Sequence, residues 1–193
     1  MTLVFGEDLY LGGVMDVQPE FLQSHNIKII INVAKECNYD LTNLPHCQYY
    51  HYDIVDDNYD ISAHFDTIIQ ILNNKSISDG VLIHCFAGMS RSPTIILAYL
   101  IRVHRMSLLD GLNSMLSKRP IRPNPYFMEQ LMTYERNVLG TNSYEPFLDD
   151  YVVNYITNSL RWDSSDNGII KWIYISENRD IWKTIAFLNN PHM

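Results

Sequence analysis

The chain has 193 residues, 47% of them hydrophobic and 19% charged, with a formal charge of −8 at pH 7. That is enough for one domain with a buried core plus an appendage, and the acidic balance argues against a surface built for nucleic-acid phosphates or anionic lipid. No apolar run approaches the ~20 residues that cross a bilayer, and MTLVFGEDLY lacks the basic and long apolar regions of a signal peptide. Cys37, Cys47 and Cys85 include no CxxC pair, which points to reduced thiols in a cytoplasmic setting.

TLVFG and DLYLGG are short apolar runs ended by glycine, the pattern of a strand hairpin. Asp16 is placed to cap a helix through VQPEFLQSHN, with Pro19 in its first turn. IKIIINVA, residues 27–34, is a continuous β-branched run, as in a strand covered on both faces. QYYHYDIV, from Gln48, reads as a further strand. Ser62 opens SAHFDTIIQILNN, in which Phe65, Ile68, Ile69 and Leu72 recur at helical spacing. GVLIHC, residues 80–85, returns to the sheet, and helices are expected over 93–104, 107–118 and 125–139, with Gly140 as a stop.

The stretch HCFAGMSRS, residues 84–92, therefore lies between a buried strand and a helix N-terminus. Loop and helix-start amides at such a junction point into one concavity and suit a phosphate. Gly88 permits a tight loop, and Pro93 fits the first helical turn. Loop amides, helix dipole and Arg91 all favour thiolate over thiol at Cys85. Arg91 can bend back and grip two phosphate oxygens with its planar fork. A lone buried cysteine usually acts as a small apolar residue; cysteine, five residues and arginine in this setting is a far more specific pattern.

HCFAGMSRS resembles the HCxxGxxRS signature of cysteine-dependent phosphatases, and in particular of the small dual-specificity protein phosphatases. The resemblance extends from DLYLGG through IIINVAKEC and AYLIRVHRMSLLDGLNSMLSKRPIRPN to YERNVLG, about residues 3–140. It implies an α/β fold, with a mixed sheet of about five strands flanked by helices. It also implies a phosphocysteine intermediate at Cys85, no metal or other cofactor, and a phosphoprotein substrate carrying phosphotyrosine and phosphoserine or phosphothreonine. The loop Phe86, Ala87, Gly88, Met89, Ser90 and Arg91 would bind the phosphate. Ser92 would help the sulfur leave when the intermediate is hydrolysed, although helix capping is its plain structural alternative. His84 would shape the loop by hydrogen bonding; taken alone, it reads as a satisfied core histidine.

Expelling an alkoxide or phenoxide requires a proton donor within hydrogen-bond reach. The resemblance implies an aspartate about thirty residues before the cysteine. DIVDDNYDI supplies Asp56 at that place, with Asp57 as a close rival, Asp53 within the strand and Asp60 near the next helix. Acidic loops are also common simply because they are solvated. Asn124, in RPNPYF, matches a family position that supports the loop, and helix capping explains it equally well. By comparison with relatives, the uncharged loop residues weigh against a phosphoinositide and the charge of −8 against an RNA 5′ end; the alternative is a phosphatase for such a non-protein substrate or a phosphoglycan. The intact Cys85, Arg91 and Ser92 favour chemistry over a silent phosphate-binding module.

Residues 141–193 form a C-terminal extension in which FLDDYVVNYITNSLRW reads as a helix and GIIKWIYISENRDIWKTIAFL as a hairpin. Trp172 and Trp182 are too apolar to stay wet on so short an element. The catalytic domain, a second copy of the chain in a homodimer, or another protein would cover them.

Overall fold

The computed structural model describes residues 1–6, 8–38 and 46–189. Five strands, β1 (Thr2–Phe5), β2 (Leu9–Gly12), β3 (Ile27–Asn32), β4 (Gln48–His51) and β5 (Gly80–His84), form one sheet in the order β1-β2-β5-β3-β4. β1 and β2 are the expected antiparallel hairpin, whereas β2–β5, β5–β3 and β3–β4 are parallel. Parallel strands need covering on both faces, and the two central strands, β3 and β5, comply. All five residues of β5 are buried, as are five of the six in β3.

Leu22 of α1 (Pro19–Ser24) packs with Ile27, Ile30 and Leu82 over one face of the sheet. α3 (Arg91–His104) lies on β2 and β5 and gathers α2 (Phe65–Asn74), α4 (Leu108–Leu116) and α5 (Pro125–Leu139) around it. Ten residues of α3 are buried, making it the central helix of the core. The mixed five-stranded sheet flanked by helices is the fold expected from the sequence.

Three local expectations are corrected. Asp16 does not cap α1; it ends a 3-10 turn over Val14–Asp16, and its carboxylate accepts from the Gly13 amide at 2.9 Å. Gln18 takes the cap position, with Pro19 as the first helical residue. β4 stops at His51, because the chain then turns so that the Tyr52 amide bonds the Asn32 carbonyl at 2.9 Å. The helix expected from Ser62 is a 3-10 turn over Ile61–His64 before α2 begins at Phe65.

The chain divides into two compact units, Met1–Ser143 and Tyr144–Met193. Ser143 belongs with the first because its amide and hydroxyl donate to the fully buried Glu135 of α5 at 2.9 and 2.7 Å. Among its described residues the second unit is built from helices, chiefly α6 (Leu148–Leu160), α7 (Asn167–Ser176) and α8 (Ile181–Asn189). The hairpin expected from GIIKWIYISENRDIWKTIAFL is therefore wrong. Ile170, Ile173 and Tyr174 are the buried residues of α7, and Ile181, Thr184 and Leu188 those of α8. Those are helical spacings, which override the β-branched composition. Asn178 and Arg179, both at positive φ (56° and 61°), turn the chain between the two helices. Trp172 and Trp182 are 68% and 51% exposed.

Candidate active site

β5 carries His84 to the carboxyl edge of the sheet, and the chain then loops through Cys85–Ser90 into α3. The loop is held from outside by its carbonyls. The Val14 amide donates to the Phe86 carbonyl (2.8 Å), Nη2 of Arg119 to Ala87 (3.4 Å), and the Arg122 amide to Met89 (2.6 Å). Gly88 has φ +70°, and a Cβ there would stand 2.5 Å from the Gly12 carbonyl oxygen. Only glycine permits both the turn and this close approach to β2. The Gly88 N–H points inward, to Sγ of Cys85 at 3.3 Å.

Cys85 is 2% exposed at the floor of the loop. Its sulfur also accepts from Oγ of Ser92, 3.2 Å away, inside the first turn of α3. Capping by Ser92 does not occur, since Ser90 holds the N-cap position and turns its own side chain elsewhere. His84 is fully buried, with Nδ1 3.2 Å from the Cys85 carbonyl. Burial pushes its pKa down to about 4, so the ring is neutral near pH 7.

Arg91 opens α3 and is 4% exposed. Its Nη1 donates to Oε2 of Glu36 (2.7 Å) and to the Ile54 carbonyl (3.0 Å), and Nη2 donates to Oε1 of Glu36 (2.5 Å). Burial opposes the guanidinium charge, but the Glu36 hydrogen bonds and the nearby Cys85 and Asp56 outweigh it, so its pKa lies above the usual arginine value. The same hydrogen bonds hold Glu36 below the ordinary carboxylate range. Nε of Arg91 is buried without a hydrogen-bond partner among the described residues, and it stands 3.8 Å from Oδ2 of Asp56. A buried charged donor of this kind is arranged for an anion.

Asp56 is the carboxylate that the fold brings to the loop. Its Oδ1 accepts from Oγ of Ser90 (2.6 Å) and from Nδ2 of Asn124 (2.9 Å). The network closes on itself, because the Asn124 amide donates to Oγ of Ser90 at 3.0 Å. Asn124 also caps α5 through Oδ1, which accepts from the Phe127 amide (3.0 Å), so the supporting and capping readings both hold. Asp57 contributes its backbone carbonyl to Nδ2 of Asn124 (3.2 Å). Asp60 accepts from Oγ of Ser62 (2.6 Å), and Asp53 faces His51 at 3.6 Å. Gln130 of α5 secures the acidic loop from behind, accepting from the Ser62 amide (2.9 Å) and donating to the Tyr59 carbonyl (2.8 Å).

Sequence reasoning passed over Glu36, Gln130, Arg119 and the bond from Ser90 to Asp56. A signal for Glu36 was present. It lies just beyond the carboxyl end of one parallel strand, where side chains from neighbouring strand ends converge on a site, and a buried arginine needs an anionic partner.

The assembled geometry is a buried cysteine sulfur accepting two hydrogen bonds, an arginine beside the loop and a nearby carboxylate. The family model of the dual specificity phosphatase catalytic domain matches residues 9–137. The chain belongs to this family. Human dual specificity protein phosphatase 14 is 36% identical over 140 residues, which cover 70% of this chain and 69% of that protein. Human dual specificity protein phosphatase 18 is 38% identical over 141 residues, 71% and 74% of the two chains. MAP kinase phosphatase with leucine-rich repeats protein 3 of Dictyostelium discoideum is 44% identical over 85 residues, but these span only 10% of its length. Among solved structures, human DUSP28 has a TM-score of 0.66 at 25% identity, covering 72% of this chain and 99% of that one. Human tyrosine phosphatase-like serine/threonine/tyrosine-interacting protein has a TM-score of 0.65 at 26% identity, covering 72% and 97%. The matched region contains every site residue described above, so the enzyme class is that of a dual-specificity protein phosphatase.

Proposed function

We propose that this phosphatase dephosphorylates protein tyrosine and serine or threonine side chains through a phosphocysteine at Cys85. The observation that carries the reading is the Cys85 sulfur, bonded by the Gly88 amide and Ser92, together with the buried Arg91, whose Nε has no hydrogen-bond partner among the described residues. The sulfur attacks phosphorus, and an S–P bond forms as the bond to the leaving oxygen breaks. Arg91 and the loop amides bind the phosphoryl oxygens, stabilising the charge that is redistributed in the transition state. Asp56 gives its proton to the leaving oxygen. Both hydrogen-bond donors to Asp56 among the described residues bond Oδ1, and Oδ2 stands 3.8 Å from Nε of Arg91. In the second half, Asp56 takes a proton from water, the water oxygen bonds to phosphorus, and the S–P bond breaks. Ser92, already bonded to the sulfur, stabilises it as it leaves.

Cys85→Ser tests the nucleophile, because a serine hydroxyl stays protonated near neutral pH. Phosphate release from a phosphopeptide should disappear while the fold survives; turnover in that variant would sink the mechanism. Asp56→Asn should slow poor leaving groups by ~10²–10⁴-fold, the usual contribution of a positioned acid. If Asp57→Asn gives that phenotype instead, the acid is Asp57.

The proposal also assigns the chemistry to residues 1–140 in the cytoplasm, with residues 141–193 serving assembly. The exposed Trp172 and Trp182 support a homodimer surface on the C-terminal unit, and the charge of −8 supports a protein partner over nucleic acid or anionic membrane. Light scattering of the full chain that gives a monomer mass overturns the dimer.

A further inference from the structure

The mouth of the phosphate loop is chemically lopsided. Glu36, Asp56 and Asp57 stand along one side, two of them tied to Arg91, Ser90 and Asn124. Along the other, the turn after β2 reads Gly12-Gly13-Val14-Met15 and meets Phe86-Ala87 of the loop, with no charged side chain in either segment. The two segments are fixed to each other. The Val14 amide donates to the Phe86 carbonyl at 2.8 Å, and a Cβ on Gly13 would approach that oxygen to 2.8 Å. The nearest charges are committed elsewhere: Asp16 is turned to the Gly13 amide and the N-terminal amine, and the Arg119 guanidinium donates to the Leu11 and Ala87 carbonyls. Two large apolar side chains stay uncovered at this join: Met15 is 77% exposed and Phe86 57% exposed. The strand beneath is tightly packed, with Leu9 and Leu11 3% and 0% exposed, so a loose core does not account for them.

We propose that Met15 and Phe86 form a ledge that receives an apolar side chain adjacent to the phosphorylated residue of a protein substrate. The proposal rests on Cys85 as the nucleophile. Continuity with that site argues for the occupant. Phe86 directly follows Cys85, so a phosphate seated in the loop leaves the neighbouring substrate residue, one ~3.8 Å step along the chain, above the ledge. An acidic neighbour gains nothing from Met15 and Phe86 and meets like charge across the mouth, while the Arg119 guanidinium at the join is spent on the Leu11 and Ala87 carbonyls. A phosphoinositide membrane fits less well, because anionic headgroups would face the same three carboxylates.

The test uses the full chain and phosphotyrosyl peptides bearing Leu, Ser or Asp on either side of the phosphoresidue. Phosphoinositide vesicles and a small aryl phosphate serve as further arms. Leu on one side should raise kcat/KM about tenfold over Asp, the discrimination expected of partial burial of one aliphatic side chain. Met15→Asp should erase that preference and leave turnover of the small aryl phosphate as it was. Phe86→Ser should weaken it independently. Equal turnover of all peptides, a preference that survives both variants, or faster turnover of the vesicles than of every peptide overturns the ledge. If the unsubstituted chain releases no phosphate from the aryl ester or from any peptide, the reading of Cys85 is overturned instead.

Discussion

Ser90→Ala isolates the contact that ties the phosphate loop to Asp56. The substitution deletes the 2.6 Å bond to Oδ1 of Asp56 and removes the acceptor of the Asn124 amide. Nδ2 of Asn124 still holds the carboxylate at 2.9 Å, so Asp56 is loosened and not released. Asp56 acts here as a protonated acid, and a typical hydrogen bond contributes ~0.5–1.5 kcal/mol net. At the upper end of that range, the loss of alignment should be about tenfold in rate. The assay is kcat across aryl phosphates of decreasing leaving-group acidity. A proton donor matters only where the departing oxygen is basic, so the deficit should grow from little with a nitrophenolate to about tenfold with an unactivated phenol. In the Asp56→Asn background, Ser90→Ala should add almost nothing, since the two act as one unit. A uniform loss across all leaving groups would mean that Ser90 supports the loop and not the acid. Full additivity with Asp56→Asn would refute the coupling.

Arg91→Lys removes a planar fork that reaches Glu36 twice and the Ile54 carbonyl once, leaving Nε for substrate; one ammonium cannot reproduce this. We expect kcat/KM to fall by about 10²–10⁴-fold with the far-ultraviolet dichroism retained, and near-normal kinetics would make Arg91 structural. His84 sets a pH dependence of stability. Its folded pKa of about 4 lies below the ordinary 6.5, so the unfolded chain binds the extra proton between those values and stability rises with pH. The contribution is complete above about pH 6.5 and is lost progressively as pH falls through about 4, amounting to roughly 3 kcal/mol. Urea unfolding at pH 7.5 and 4.5 should show a steeper loss for the wild type than for His84→Gln, and parallel losses would contradict the assignment.

The strand, loop and helix around Cys85 were legible in sequence because their signals are local. A β-branched run, a glycine where the loop must turn back, and a helical repeat each stand within a few residues of the cysteine. The aspartate was legible only by spacing, which is coarse by a residue. What separates Asp56 from Asp57 in the fold is a pair of donors, Ser90 and Asn124, far apart in sequence and joined to each other. Glu36 was harder still. Its meeting with Arg91 follows from the strand order, in which β3 lies beside β5, and no local pattern encodes that adjacency. In the second unit the failure was one of competing signals. Ile169, Ile170, Trp172, Ile173 and Ile175 look strand-like by composition, yet only Ile170, Ile173 and Tyr174 of α7 are buried. The apolar residues left outside blurred the helical period.

The way the polar groups are shared explains why such a site needs so little sequence to specify it. Asn124 has one side chain and serves two elements: Oδ1 ends the free amides of α5, while Nδ2 spans the Asp56 carboxylate and the Asp57 carbonyl. Its own amide then fixes Ser90 in the phosphate loop. Arg91 works similarly, bonding the Ile54 carbonyl just ahead of the acidic loop while Glu36 locks its plane. The Asn124 amide group and the Arg91 fork are therefore satisfied by partners on different segments, while Nε of Arg91 keeps no hydrogen-bond partner among the described residues. The start of α5, the acidic loop, the strand end before it and the phosphate loop are bound into one unit. Cys85 and the Asp56 carboxylate are kept in register by hydrogen bonds that the fold must make in any case.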